Sequence, residues 1–193
     1  LLPVEWVRPG FRPALATILQ SWTDIGNRHV RIFLADVFRD SSSAIGFLNC
    51  PAGKFYHHAY QGGLLQHTAE MLVSLRDTTL YEVPILERDI AIALVIIHDL
   101  GKTLTLVGNR YNARGGHQPH EMATLELLAE PLRCLERQLP MAANLIRGYF
   151  NPKNCYPANK HRLYTEVSRL DRASAEGNHK LSRSKGARHA IPG

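Results

Sequence analysis

His98-Asp99 is an adjacent imidazole–carboxylate pair that closes an apolar run, Ile90 to Ile97. His67 stands upstream, behind a Gly62-Gly63 turn, and Asp171 stands far downstream in the segment HRLYTEVSRLDRASAE. A carboxylate at the end of so apolar a run is costly unless a cation or a good set of donors meets it. Neighbouring helix positions differ by about 100°, yet a short Asp and a long His can converge on one point beside a helix end. Taken singly, each residue has an ordinary explanation. His98-Asp99 reads as a helix-end carboxylate beside a packed histidine, His67 as a satisfied core histidine, and Asp171 as a surface carboxylate paired with Arg169 or Arg172. Taken together, they offer two neutral nitrogens and two anionic oxygens from three helices. That mixed set suits a divalent ion such as Mn²⁺, Fe²⁺, Ni²⁺ or Mg²⁺, with positions left open for water and a phosphate oxygen. No cysteine lies in these segments, which disfavours a thiolate zinc site.

The elements that must position these residues are helical. Pro3, Pro9, Gly10 and Pro13 predict an extended opening, followed by a helix from about Pro13 to Trp22 with Ala14, Ile18 and Leu19 on one face. Val30, Phe33, Leu34 and Val37 recur at i, i+3, i+4, i+7 and predict a second helix over 30–38. Ser41-Ser42-Ser43 can cap a short helix carrying Ile45, Phe47 and Leu48, stopped by Pro51 and Gly53. The next helix opens after Gly62-Gly63 and carries Leu64, Leu65, Met71, Leu72 and Leu75. Beyond Pro84, residues 89–100 read as a helix ended by Gly101 as a left-handed cap. Residues 103–116 predict a loop or short hairpin, 120–136 a helix, 141–149 another, and 160–176 a last helix after the Asn- and Pro-rich stretch 151–159. No strand-alternating blocks separate these segments. The expected architecture is a single all-α helical bundle over residues 1–176.

After Glu176 the sequence GNHKLSRSKGARHAIPG has four Lys/Arg, no acid and no apolar period, and 177–193 is expected to be a basic flexible tail or linker. A net charge of +6 permits an anionic partner without requiring one. The longest apolar run falls well short of the roughly 20 residues that span a bilayer, so no membrane partner is expected. Cys50, Cys134 and Cys155 are odd in number and not in CxxC spacing, which fits free thiols in the cytoplasm. No P-loop is present, which argues against an ATP-driven activity in this segment. The chain starts at Leu1 without a methionine, which fits a piece of a longer protein.

The segments HHAYQGGLLQHT (57–68) and HDLGK (98–102), with DRAS (171–174), resemble the HD-domain superfamily of metal-dependent phosphohydrolases. The resemblance spans roughly residues 45–175. It is similar in particular to a subgroup comprising 3′→5′ exoribonucleases of the Gram-positive type and the HD domain at the front of some conjugative relaxases. What it implies is a helical bundle in which His67, His98, Asp99 and Asp171 hold the metal. Lys102 follows the HD-x-G-K pattern and would neutralise a bound phosphate, and His120 matches an additional histidine of two-metal members, with His117 as its nearby substitute. The chain departs from two-metal members where it reads LIRGYFNP (145–152): Arg147 can bind phosphate but not a metal. That departure favours one ion over two. His57 and His58 can either bond a substrate phosphate or orient His67 from behind.

The expected activity is hydrolysis of a nucleotide or nucleic-acid phosphoester, with the ion polarising the phosphoryl oxygen and activating water. Asp99 anchors the ion, Lys102, Arg147 or Arg114 offset charge on the phosphoryl oxygens, and His120 serves as general acid or as a ligand to a second ion. The alternative is a docking module: a vestigial HD site inside a larger, relaxase-type DNA-processing protein.

Overall fold

A computed structural model describes residues 2–55, 58–78, 83–151 and 161–186. Among them the chain is helical apart from one small hairpin, as its apolar periodicity predicts. Two short 3₁₀ turns, Val4–Trp6 and Pro9–Phe11, lead into α1 (Arg12–Thr23), which has Pro13 in its first turn and buries Ala14, Leu15, Ile18 and Trp22. In α2 (Arg28–Val37) the Asn27 side chain accepts from the amides of His29 and Val30, and Val30, Phe33, Leu34 and Val37 form the buried stripe. The third helix, α3 (Ser41–Asn49), is capped one residue earlier than the serines suggest. The Asp40 carboxylate accepts from the Ser43 amide at 3.0 Å and from the Ser42 and Ser43 hydroxyls. An ionised acceptor outcompetes a hydroxyl for that role.

α4 (Gly63–Arg76) packs against α1, α3 and the centre of the bundle, α5 (Ile85–Ile97). Every residue of α5 from Asp89 to Ile97 is buried, so this helix is apolar all round and is covered on all sides. Its one buried charge, Asp89, accepts from the Asn27 amide at 2.7 Å and lies 3.7 Å from the Arg88 guanidinium, which ties the α1–α2 link to the core.

Beyond α5 the chain does not end in a left-handed cap. Gly101 is right-handed (φ −62°, ψ −16°), and 98–101 wind on through bonds from Leu100 to Ile97 and Lys102 to Asp99 into the short α6 (Lys102–Thr105). Gly101 is required for proximity instead. A Cβ there would sit 2.0 Å from the His120 carbonyl oxygen and 2.5 Å from the Thr124 amide nitrogen, both in α7 (His120–Leu127). Between them lies a hairpin, β1 (Leu106–Val107) against β2 (Arg110–Tyr111), antiparallel with Leu106 opposite Tyr111.

The predicted 120–136 helix is two: α7 and α8 (Ala129–Gln138), broken at Leu128. Pro131 has no N–H for the Leu127 carbonyl, and its ring crowds that oxygen. α9 (Pro140–Phe150) packs on α5, α7 and α8, and α10 (Arg162–Gly186) packs on α4 and α5. α10 winds ten residues past the expected end at Glu176, because a helix whose first half is docked propagates at little cost per added residue. No helix among the described residues is long and apolar enough to cross a membrane.

Truncating Leu94 to Ala, at the heart of α5, should cost about 2–5 kcal/mol in urea unfolding, whereas Ile45→Ala, 46% exposed, should stay within about 0.5 kcal/mol. Gly101→Ala should cost about 1–3 kcal/mol by the same measurement, because its methyl meets backbone rather than a movable side chain.

Candidate metal centre

Three helices converge on one point. α4 brings His67, fully buried on its inner face. The turn before it is fixed by Gly62, left-handed at φ +86°, and by Gly63, where a Cβ would lie 1.9 Å from the His58 carbonyl oxygen. The end of α5 brings His98 and Asp99, both buried. α10 brings Asp171, with Leu163, Val167 and Leu170 buried on the same helix to seat it. One ligand atom from each of these four residues lies within 4.8 Å of the others.

The spacings are those of ligands around one ion. Ligand atoms about 2.1 Å from a metal stand about 3.0 Å apart when adjacent and about 4.2 Å when opposite. His67 Nε2 is 3.1 Å from Asp171 Oδ1 and 3.3 Å from His98 Nε2, which is itself 3.3 Å from Asp99 Oδ2. The longer pairs, His67 to Asp99 and His98 to Asp171, are both 3.9 Å.

Proton positions follow from the partners. His98 Nδ1 lies 2.9 Å from the Val95 carbonyl oxygen, which can only accept, so Nδ1 carries the hydrogen and Nε2 presents a lone pair. His67 Nδ1 lies 3.0 Å from Ser174 Oγ, whose own hydrogen goes to Glu70 Oε2 at 3.1 Å. The serine must therefore accept from His67, and His67 Nε2 also faces the cluster as a lone pair. Two lone pairs and two carboxylate oxygens pointed at one another repel unless a cation lies between them. The donor set thus fits the divalent ion that its chemistry implies.

The charge states of His67 and the two carboxylates agree. Burial holds the His67 imidazole below its ordinary pKa and keeps it neutral. Burial also opposes ionisation of Asp99, but the Lys102 ammonium and His98 outweigh it and hold the carboxyl well below its ordinary range. Asp171 is likewise lowered against its burial, chiefly by the facing His67 imidazole and then by His98. For His98, burial pulls down while Asp99 and Asp171 pull up, and the net direction is up.

Asp99 is two-faced. Oδ2 meets His98 and the Lys102 ammonium, which lies 2.5 Å away and also donates to the Ala52 carbonyl. Oδ1 meets His120 Nε2 at 3.0 Å. His58 is buried with a left-handed backbone (φ +47°); its Nδ1 lies 2.7 Å from the Tyr60 hydroxyl and its Nε2 2.9 Å from Glu70 Oε2. His57 lies outside the described residues. His117 is exposed in the turn after Arg114 and is not in the four-residue cluster. Arg147 is bonded to Glu136 at 2.8 Å and lines a cavity with Leu125, Arg133 and Asn151, while Arg114 is held by Gln118 and Glu126. Glu70 and Ser174 were not picked out by the sequence reading, although each stands three residues after a ligand, His67 and Asp171, and so on the same helix face.

No protein-family model matches the chain, and no solved structure matches it. Curated proteins do. The 3′-5′ exoribonuclease YhaM of Bacillus subtilis is 33% identical over 110 residues, covering 53% of this chain and 34% of the relative. YhaM of Bacillus velezensis is 33% identical over 113 residues (55% of this chain, 35% of the relative), and YhaM of a Geobacillus species is 36% identical over 109 residues (53% and 33%). The matched region spans about a third of the length of these relatives, and over that region the chain is similar to proteins named as 3′-5′ exoribonucleases.

Proposed function

We propose that this chain is an HD-type phosphohydrolase domain that cleaves phosphoesters of nucleic acid, with RNA as the substrate class, and that it works within a longer protein. The observation that carries the reading is the cluster of His67, His98, Asp99 and Asp171, one ligand atom of each lying within 4.8 Å of the others. The similarity to proteins named as exoribonucleases supports the nuclease branch of the resemblance over the relaxase branch. The net charge of +6 suits a polyanion.

His67, His98, Asp99 and Asp171 would hold a single divalent ion, Mn²⁺, Fe²⁺, Ni²⁺ or Mg²⁺. A bound ion supplies Lewis acidity to a phosphoryl oxygen and lowers the pKa of water for attack on phosphorus. The chain's own residues do the rest. Lys102, fixed between Asp99 and the Ala52 carbonyl, adds positive charge where phosphoryl oxygens gather it. His120, 28% exposed and bonded to Asp99 Oδ1, stands at the mouth of the cluster, where its imidazole can give a proton to the departing ester oxygen as the P–O bond breaks, so that it leaves as a hydroxyl. The same nitrogen and Asp99 Oδ1 are what a second ion would use.

Elemental analysis of protein purified without added metal should give about one ion per chain, lost in the His98→Ala/Asp99→Ala protein. Two ions per chain would bring His120 into the ligand set; none, even after reconstitution, would leave the docking-module reading.

Mn²⁺ at a hundred times its Kd should stabilise the fold by about 2.7 kcal/mol, which for a domain of this size raises Tm by about 5–11 °C. The shift should vanish on chelation and be absent in Asp171→Asn, an isosteric change at a partly exposed side chain that leaves the core packing in place. Asp99→Ala should abolish hydrolysis of a 5′-labelled single-stranded RNA. Retained activity in metal-free Asp99→Ala protein would refute the mechanism.

A further inference from the structure

We propose that Glu70 and Ser174 are positioning residues that fix the tautomer and orientation of His67, so that its Nε2 stays available to the metal; this rests on the metal-centre reading above. The Glu70 carboxylate is surrounded by donors. Its Oε2 accepts from the Ser174 hydroxyl at 3.1 Å and from His58 Nε2 at 2.9 Å, and its Oε1 accepts from the Gln66 amide at 3.2 Å. An ionised carboxylate is a stronger acceptor than a neutral imidazole nitrogen, so the single Ser174 hydrogen goes to it. The serine oxygen then has only lone pairs to offer His67 Nδ1, 3.0 Å away, and the imidazole hydrogen must sit there. Turning the Ser174 hydroxyl from Glu70 to His67 Nδ1 would move the imidazole hydrogen to Nε2, into the cluster, where it would block metal binding.

The relay also joins two ligand helices. Glu70 and His67 share one face of α4, while Ser174 and Asp171 share one face of α10, each pair three residues apart. The Ser174 hydroxyl spans them, so the bond that sets the His67 tautomer also holds the Asp171 helix against α4. Behind Glu70, His58 forms a second clamp, buried and held at its other nitrogen by the Tyr60 hydroxyl at 2.7 Å. Outer partners of metal-bound histidines typically affect affinity by 10–100-fold.

The test uses the full chain in three variants. Ser174→Ala removes the link. Ser174→Thr keeps the hydroxyl. Glu70→Gln replaces the obligate acceptor with a group that can donate to Ser174 and so free its hydrogen for His67 Nδ1. Two quantities are read: the Mn²⁺ Kd by titration calorimetry, and the His67 tautomer by ¹⁵N NMR on metal-free protein. Wild type should show the Nδ1–H form. Ser174→Ala and Glu70→Gln should show a shift toward Nε2–H and bind Mn²⁺ about 10–100-fold more weakly, and Ser174→Thr should restore both. Wild-type affinity with an unchanged His67 signal in Ser174→Ala and Glu70→Gln would overturn the relay while leaving the metal centre intact. A wild-type protein that takes up no Mn²⁺ would overturn the metal-centre reading and the relay's role with it. If Ser174→Ala does not fold, Glu70→Gln carries the same comparison.

Discussion

The structure turns on one constraint: Asp99 must stay ionised at the end of a helix buried on every side. An unpaired carboxylate there would take up a proton rather than remain charged. The chain meets this by placing the Lys102 ammonium one turn further on, in a segment whose right-handed winding from 98 to 105 keeps residues i and i+3 on one side. That winding depends on α7 lying close enough for the Gly101 amide to donate to the Thr124 hydroxyl at 2.9 Å, and only glycine leaves room for it. His120, at the start of the same α7, then reaches the other carboxylate oxygen. A single buried charge thus sets the path of the chain from α5 to α7 and brings three of the site's side chains together.

The second half of the site is built by the opposite logic. For His67 and His98 the requirement is one of hydrogen-bond direction. Each imidazole must hand its Nδ1 hydrogen to an acceptor away from the cluster. His98 uses the Val95 carbonyl of its own helix, a local solution that any helix end can offer. His67 sits mid-helix, where its own carbonyls are already engaged, and uses a partner from another element, Ser174 of α10. The mid-helix histidine therefore needs tertiary support that the helix-end histidine does not.

This difference explains what could be read from the sequence. The helices followed from apolar spacing, and the convergence of His67, His98, Asp99 and Asp171 followed from residue chemistry plus a family resemblance. The departures have local physical causes: a carboxylate at Asp40 outcompeting three serines for a cap, Pro131 dividing a helix, and Gly101 serving proximity rather than a left-handed turn. Glu70 and Ser174 escaped because neither residue type is distinctive and neither is paired with its partner in sequence. Their meaning appears only when α4 and α10 are brought side by side. A search for polar residues one turn from each ligand, on the ligand's own face, would have found both.

Exposure is uneven around the cluster. The side chains of His67, His98 and Asp99 are 0%, 4% and 4% exposed, whereas those of His120 and Asp171 are 28% and 41% exposed. The core therefore fixes three ligand groups from behind, and the site opens between the N-terminus of α7 and the outer face of α10. Among the described residues, the exposed side of the cluster is marked by His120 and Asp171. A carboxylate on that side repels a phosphate unless an ion is bound to it first. On the proposed reading a cation would therefore bind before a phosphate, and Lys102, 15% exposed and beside Asp99, would lie deeper in the site than either exposed group.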